Sequence, residues 1–156
     1  MTKVVEEEMI FFNASVSNNE EILEQLGNKA IELGFAKPNY VEGLKQRENE
    51  FATGVPVEPT GVAIPHTDSS YVNDNKVAVM TLKDPVEFNQ MGGAETDKLQ
   101  VKLVILLCFK DGKNHMSALQ NIIEKIQDEK FVESLVNADS KETLLKISES
   151  NFDNIL

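Results

Sequence analysis

Val101-Lys102-Leu103-Val104-Ile105-Leu106-Leu107-Cys108-Phe109 is the stretch on which the fold turns. It is almost continuously apolar, without the alternation of a half-solvated strand, so it reads as a strand buried on both faces. Its longest unbroken apolar run, Leu103–Phe109, is seven residues and cannot cross a bilayer. Asp111–Asn114 reads as a turn. Beyond it Met116, Leu119, Ile122, Ile123 and Ile126 form an apolar stripe at helical spacing. A doubly buried strand followed by an amphipathic helix implies a sheet covered by helices.

Towards the N-terminus the elements continue. Val77–Leu82 reads as a second buried strand, with Val86–Phe88 a short one between the two. Ala52–Pro65 holds two Gly and three Pro, and Val62–Ile64 is its best strand candidate. Met9–Ala14 is a short first strand. Ser17 and Glu20 have capping-box spacing ahead of Ile22, Leu23, Leu26, Ala30 and Leu33, and Gly34 supplies a stop. Pro38 suits the first position of a second helix running to about Glu50. Towards the C-terminus, Asp128–Asn137 reads as a short helix. Asp139 with Glu142 then opens a last one carrying Leu144, Leu145 and Ile147. The order predicts an α/β or α+β fold, a mixed sheet flanked by α-helices, in a single domain over residues 1–156.

Composition narrows the function. The chain is 41% apolar and 26% charged, ordinary for a globular protein, with a formal net charge of −11. With no Lys/Arg cluster, nucleic acid and anionic membrane are poor partners. Met1–Glu8 has no apolar signal-peptide core, which suggests a cytoplasmic protein without membrane insertion. The lone Cys108 can form neither an internal disulfide nor a zinc cluster, and reads as a buried, inert thiol.

The rare side chains are more telling. There are two His and one Arg, and every other basic residue is Lys. His66 follows Val62-Ala63-Ile64-Pro65. His115 follows the long strand and its turn, at the start of a helix expected over Asn114–Gln127. Arg47 lies near the end of the second expected helix. If the two strands are parallel neighbours, both imidazoles emerge at one sheet edge, where open α/β sheets place their sites. Imidazole is a neutral nucleophile near pH 7, Pro65 stiffens the turn presenting it, and Arg is a planar fork for phosphate oxygens. Together they suit phosphoryl transfer through a phosphohistidine. Plainer readings stand beside this one: a hydrogen-bonded surface His and a solvated Arg. Asp68 with Ser69, Ser70 or Ser117 suggests a Ser-His-Asp arrangement, but no Gly-x-Ser-x-Gly elbow is present. A metal held by His66, Asp68 and His115 lacks a fourth ligand.

Ala63-Ile64-Pro65-His66 resembles the phosphorylated-histidine motif of the IIA components of the bacterial phosphoenolpyruvate-dependent sugar phosphotransferase system, fructose–mannitol type. Arg47-Glu48-Asn49-Glu50-Phe51-Ala52-Thr53-Gly54-Val55 is similar to the Arg-Glu…Phe-x-Thr-Gly segment preceding that motif, and the spacing looks most like the galactitol branch. The resemblance implies that His66 accepts a phosphoryl group from the histidine-containing phosphocarrier protein. It passes the group to a Cys of the IIB component, which phosphorylates sugar as the membrane IIC component imports it. Arg47 would steady the phosphoryl group, and His115 resembles the second His of some branches. No metal or organic cofactor is implied, because the group moves between side chains. The same motifs also serve regulatory IIA-like proteins that bind partners according to phosphorylation state. Thr67, after the His, stands where Gly, Ala or Cys is common.

Overall fold

The computed structural model describes residues 3–155. Met1, Thr2 and Leu156 lie outside, and with them the ends of the expected 1–156 domain and of the Met1–Glu8 segment. Five strands, β1 (Val5–Ala14), β2 (Gly54–Val55), β3 (Gly61–Ala63), β4 (Lys76–Asn89) and β5 (Lys98–Cys108), form one sheet in the order β1-β4-β5-β3-β2. The sheet is mixed. β1 runs parallel to β4 and β3 parallel to β5, while β4–β5 and β2–β3 are antiparallel. Five helices accompany it: α1 (Asn19–Glu32), α2 (Tyr40–Glu50), α3 (Gly112–Lys125), α4 (Glu129–Val136) and α5 (Lys141–Phe152).

The apolar strands are buried on both faces, as their sequence demands. On β5, Leu103, Ile105 and Leu107 pack with Ala118, Ile122, Val132, Leu144 and Phe152 of α3, α4 and α5. The alternate residues Val104, Leu106 and Cys108 pack with Ile22, Leu26, Tyr40 and Leu44 of α1 and α2. Burying one such Leu or Ile stabilises the fold by roughly 1.5–3 kcal/mol. Cys108 is fully buried, and desolvation pushes its thiol up to about 12.

Several boundaries differ from the sequence reading, each for a local reason. Val86–Phe88 is not a separate strand but the far end of β4, which keeps pairing with β5 across a register shift between Thr81 and Val86. α2 begins at Tyr40, not Pro38, because the Tyr40 N–H is turned onto the Lys37 carbonyl. The first capping box sits one residue later than expected. Asn18 accepts the Glu21 N–H, and the Glu21 carboxylate accepts the Ser17 N–H. Likewise Ser140, not Asp139, caps α5 by accepting from Thr143 N–H. Asp111–Asn114 is the first turn of α3 rather than a free turn, since Asp111 caps it by accepting from Asn114 N–H at 2.8 Å. Met116 leaves the expected core stripe and is 53% exposed.

Candidate functional site

β3 and β5 are the parallel neighbours the site required. His66 stands three residues beyond the carboxyl end of β3, and His115 in the first turns of α3, just beyond β5. Their ring centroids are 4.9 Å apart, edge to face at 67°. Neither is a surface residue: His66 is 7% exposed and His115 9%. Two clefts, about 520 and 350 Å³, adjoin there, and both are lined by Arg47, His66 and Leu119. The structure therefore brings all three candidate residues together.

The His66 ring is held in one tautomer. Its Nδ1 lies 2.8 Å from the Ile64 carbonyl oxygen. A carbonyl only accepts, so Nδ1 carries the proton and donates, and Nε2 keeps its lone pair. The turn is pinned from the next strand by Leu107 N–H, which donates to the Pro65 carbonyl at 3.1 Å. A Ser-His-Asp arrangement is absent here. A carbonyl rather than a carboxylate orients His66, and Asp68 instead accepts from Ser70 N–H at 2.8 Å. Among the described residues no group of three His, Cys, Asp or Glu is placed to hold a metal ion.

Arg47 projects from the last turn of α2. Its guanidinium carbon sits 4.6 Å from the centre of the Phe51 ring, and its buried Nε has no hydrogen-bond partner among the described residues. A buried donor without an acceptor is costly, and an anion in the cleft would remove that cost. Next to it, Glu48 points inward and is 7% exposed. It accepts from both Thr53 N–H (2.9 Å) and Thr53 Oγ1–H (2.6 Å). Burial raises its pKa while these two bonds oppose the rise. Gly54 follows because there is no room for more: a Cβ would meet the Asn89 carbonyl oxygen at 2.6 Å.

Sequence reasoning missed what frames the clefts. Phe51 (59% exposed) and Met116 are the large apolar side chains left exposed among the described residues, and they border different clefts beside His66. An apolar residue at a helix end or in a helical stripe reads as core, so only their exposure marks them out.

Charge within the site is one-sided. Burial first, and the Arg47 charge, lower the His66 pKa against its bond to Ile64. His115 is pushed down to about 4 by burial, then by His66 and Arg47, with Asp68 opposing. Both rings are therefore neutral at pH 7. A free His titrates near 6.5. In NMR titrations the His115 ring signals should stay fixed through that region and move only near pH 4. The unfolded chain binds the extra proton first. The His115 contribution to stability is thus complete above about pH 6.5 and is lost as pH falls towards about 4. A His115 midpoint at the free value would contradict this burial.

A family model, phosphoenolpyruvate-dependent sugar phosphotransferase system, EIIA 2, matches residues 3–151. The chain belongs to that family. As an EIIA component it is a phosphotransferase that passes phosphate through a histidine. It is 27% identical over 139 residues to the galactitol-specific EIIA component of Escherichia coli, covering 88% of this chain and 90% of that one. It is 28% identical over 150 residues to the mannitol-specific phosphotransferase enzyme IIA component of Staphylococcus aureus, covering 96% and 97%. The multiphosphoryl transfer protein of Escherichia coli is 31% identical over 147 residues, covering 92% of this chain, which spans only 17% of that longer protein. Among solved structures, enzyme IIAMtl in complex with phosphorylated enzyme IIBMtl from Escherichia coli matches with a TM-score of 0.74 at 22% identity, covering 94% and 97%. Nitrogen regulatory protein IIA-Ntr from Neisseria meningitidis matches with 0.75 at 24%, covering 92% and 95%. These two likenesses establish the EIIA fold.

Proposed function

We propose that this EIIA component accepts its phosphoryl group on His66 Nε2 from the histidine-containing phosphocarrier protein. It then passes the group to a Cys of a IIB component serving uptake of galactitol or a related sugar. The observation carrying this reading is the Nδ1–H of His66 donating to the Ile64 carbonyl, which leaves Nε2 as a lone pair in a cleft shared with Arg47.

In the forward step the Nε2 lone pair attacks the donor's phosphorus and the donor's P–N bond breaks, its imidazole leaving with the electron pair. The Nδ1–H stays on Ile64, whose carbonyl dipole eases the positive charge the ring acquires. Arg47 meets the phosphoryl oxygens, and a neutral His115 donates one ring N–H to them. In the second step a Cys thiolate of IIB attacks the same phosphorus, and the P–Nε2 bond breaks with its electrons returning to the ring. Positioning and charge carry both steps.

Phe51 and Met116 give the partner proteins an apolar landing on either side of His66, and the net charge of −11 suits a basic donor. Residues 1–156 act as one phosphotransferase domain. No helix among the described residues is long and apolar enough to cross a membrane, which agrees with a place in the cytoplasm beside a membrane IIC component. Reconstitution with labelled phosphoenolpyruvate, the general phosphotransferase proteins and this chain tests the reading. An acid-labile, base-stable label on His66 is expected, discharged by a galactitol-type IIB. Discharge only by a mannitol-type IIB would overturn the sugar assignment, and absence of label the carrier role.

A further inference from the structure

Arg47 and Glu48 are adjacent on one helix, about 100° apart around its axis, so they face different surroundings. Arg47 enters the cleft. Glu48 enters the interior, where its carboxylate clamps Thr53 through two bonds at 2.9 and 2.6 Å. The Thr53 carbonyl in turn accepts the Ile64 N–H at 3.0 Å, and the Ile64 carbonyl accepts the His66 Nδ1–H at 2.8 Å. The chain Glu48–Thr53–Ile64–His66 joins the end of α2 to the histidine turn. β3 is only three residues long, and on the side away from β5 its partner β2 has only two, so on that side the ladder alone fixes this corner weakly. Gly54 lets the clamped loop lie against Asn89, where a Cβ would meet the backbone oxygen at 2.6 Å.

We propose that Glu48 is a positioning residue: through Thr53 it sets the Ile64 carbonyl that selects the His66 tautomer, and it ties that setting to the helix turn presenting Arg47. The buried carboxylate touches no reacting atom. It makes Arg-Glu and Thr-Gly one device, in which one helix turn delivers the phosphoryl-binding fork and holds the nucleophile's support. Leu at position 48 removes both acceptors, whereas Gln keeps both contacts, its Oε1 accepting the Thr53 N–H and its Nε2–H donating to the Thr53 hydroxyl oxygen. Val at position 53 keeps the side-chain shape of Thr and loses the Oγ1–H. Ser at 53 keeps both bonds.

This inference rests on His66 as the phosphoacceptor, but its first readout does not depend on transfer. Nitrogen-15 shifts of the His66 ring report the tautomer in the unphosphorylated, full chain. The wild type and Thr53→Ser should hold the Nδ1–H form. Glu48→Leu and Thr53→Val should populate the Nε2–H form as well. Maximal phosphoryl transfer from the phosphocarrier should fall about tenfold in both, with KM for the donor unchanged and Thr53→Ser close to wild type. Thr53→Val decides the matter if Glu48→Leu fails to fold. Folded Glu48→Leu and Thr53→Val proteins with the wild-type tautomer would overturn the inference, as would wild-type rates in both. A wild type that takes no label on His66 would instead overturn the proposed function, and the tautomer measurement would still judge Glu48.

Discussion

Phosphocarrier-dependent labelling of His66→Ala should fall to background, the largest effect expected in this protein. The substitution removes the nitrogen that bonds to phosphorus, and no neighbour replaces it. His115 is closest, with ring centroids 4.9 Å apart, but among the described residues no backbone carbonyl fixes its ring as Ile64 fixes that of His66, and its role is to donate to the phosphoryl oxygens rather than to accept the group. The fold should survive. Ala deletes a 7% exposed ring and one hydrogen bond to Ile64, a loss of about 1–3 kcal/mol against a typical stability of roughly 5–15 kcal/mol. His66→Gln, which fills more of the space, should be nearer wild type in melting temperature and equally unlabelled. Mass-spectrometric site mapping with thermal melts checks both points. Undiminished label in folded His66→Ala would remove the basis of the proposed function, and label moved to His115 would reverse the two histidines' roles.

Much of the sheet was legible because burial leaves its mark on every residue. Leu103–Phe109 is apolar without alternation, and it lies between two helical layers. The parallel β3–β5 pair was foreseeable as a condition rather than a certainty, since it depends on a crossover joining distant segments. Helix starts were misplaced by one or two residues where several acceptors compete. Ser17 and Asn18 are both good caps, and only the direction of the Glu21 amide chooses Asn18. The site was legible as residue types, His66, His115 and Arg47, because both His and Arg are rare here. Its support was not. Glu48 looks like one more acid in an acidic helix, and its burial depends on Thr53 returning five residues later to meet it. The same limit hid Phe51 and Met116, whose exposure is a property of the assembled cleft.

Arg47→Ala should slow transfer at saturating donor by roughly ten- to a hundredfold, the loss of about 1.5–3 kcal/mol that charge-assisted hydrogen bonds contribute. Two features of its setting argue for the fork as well as the charge. The guanidinium carbon lies over the Phe51 ring, 4.6 Å from its centre, and its buried Nε has no acceptor of its own among the described residues. Lys at this position would keep the charge but lose the planar fork and its paired donors. Arg47→Lys should therefore recover only part of the rate. Electrostatics supplies a second readout that does not involve transfer. The Arg47 charge lowers the pKa of both His66 and His115, so each should titrate at higher pH in Arg47→Ala than in the wild type. Arg47→Lys should largely retain the lowered values, which separates the contribution of charge from that of geometry. A wild-type transfer rate in folded Arg47→Ala, with both titrations unmoved, would show Arg47 to be a solvated charge beside the cleft rather than part of it.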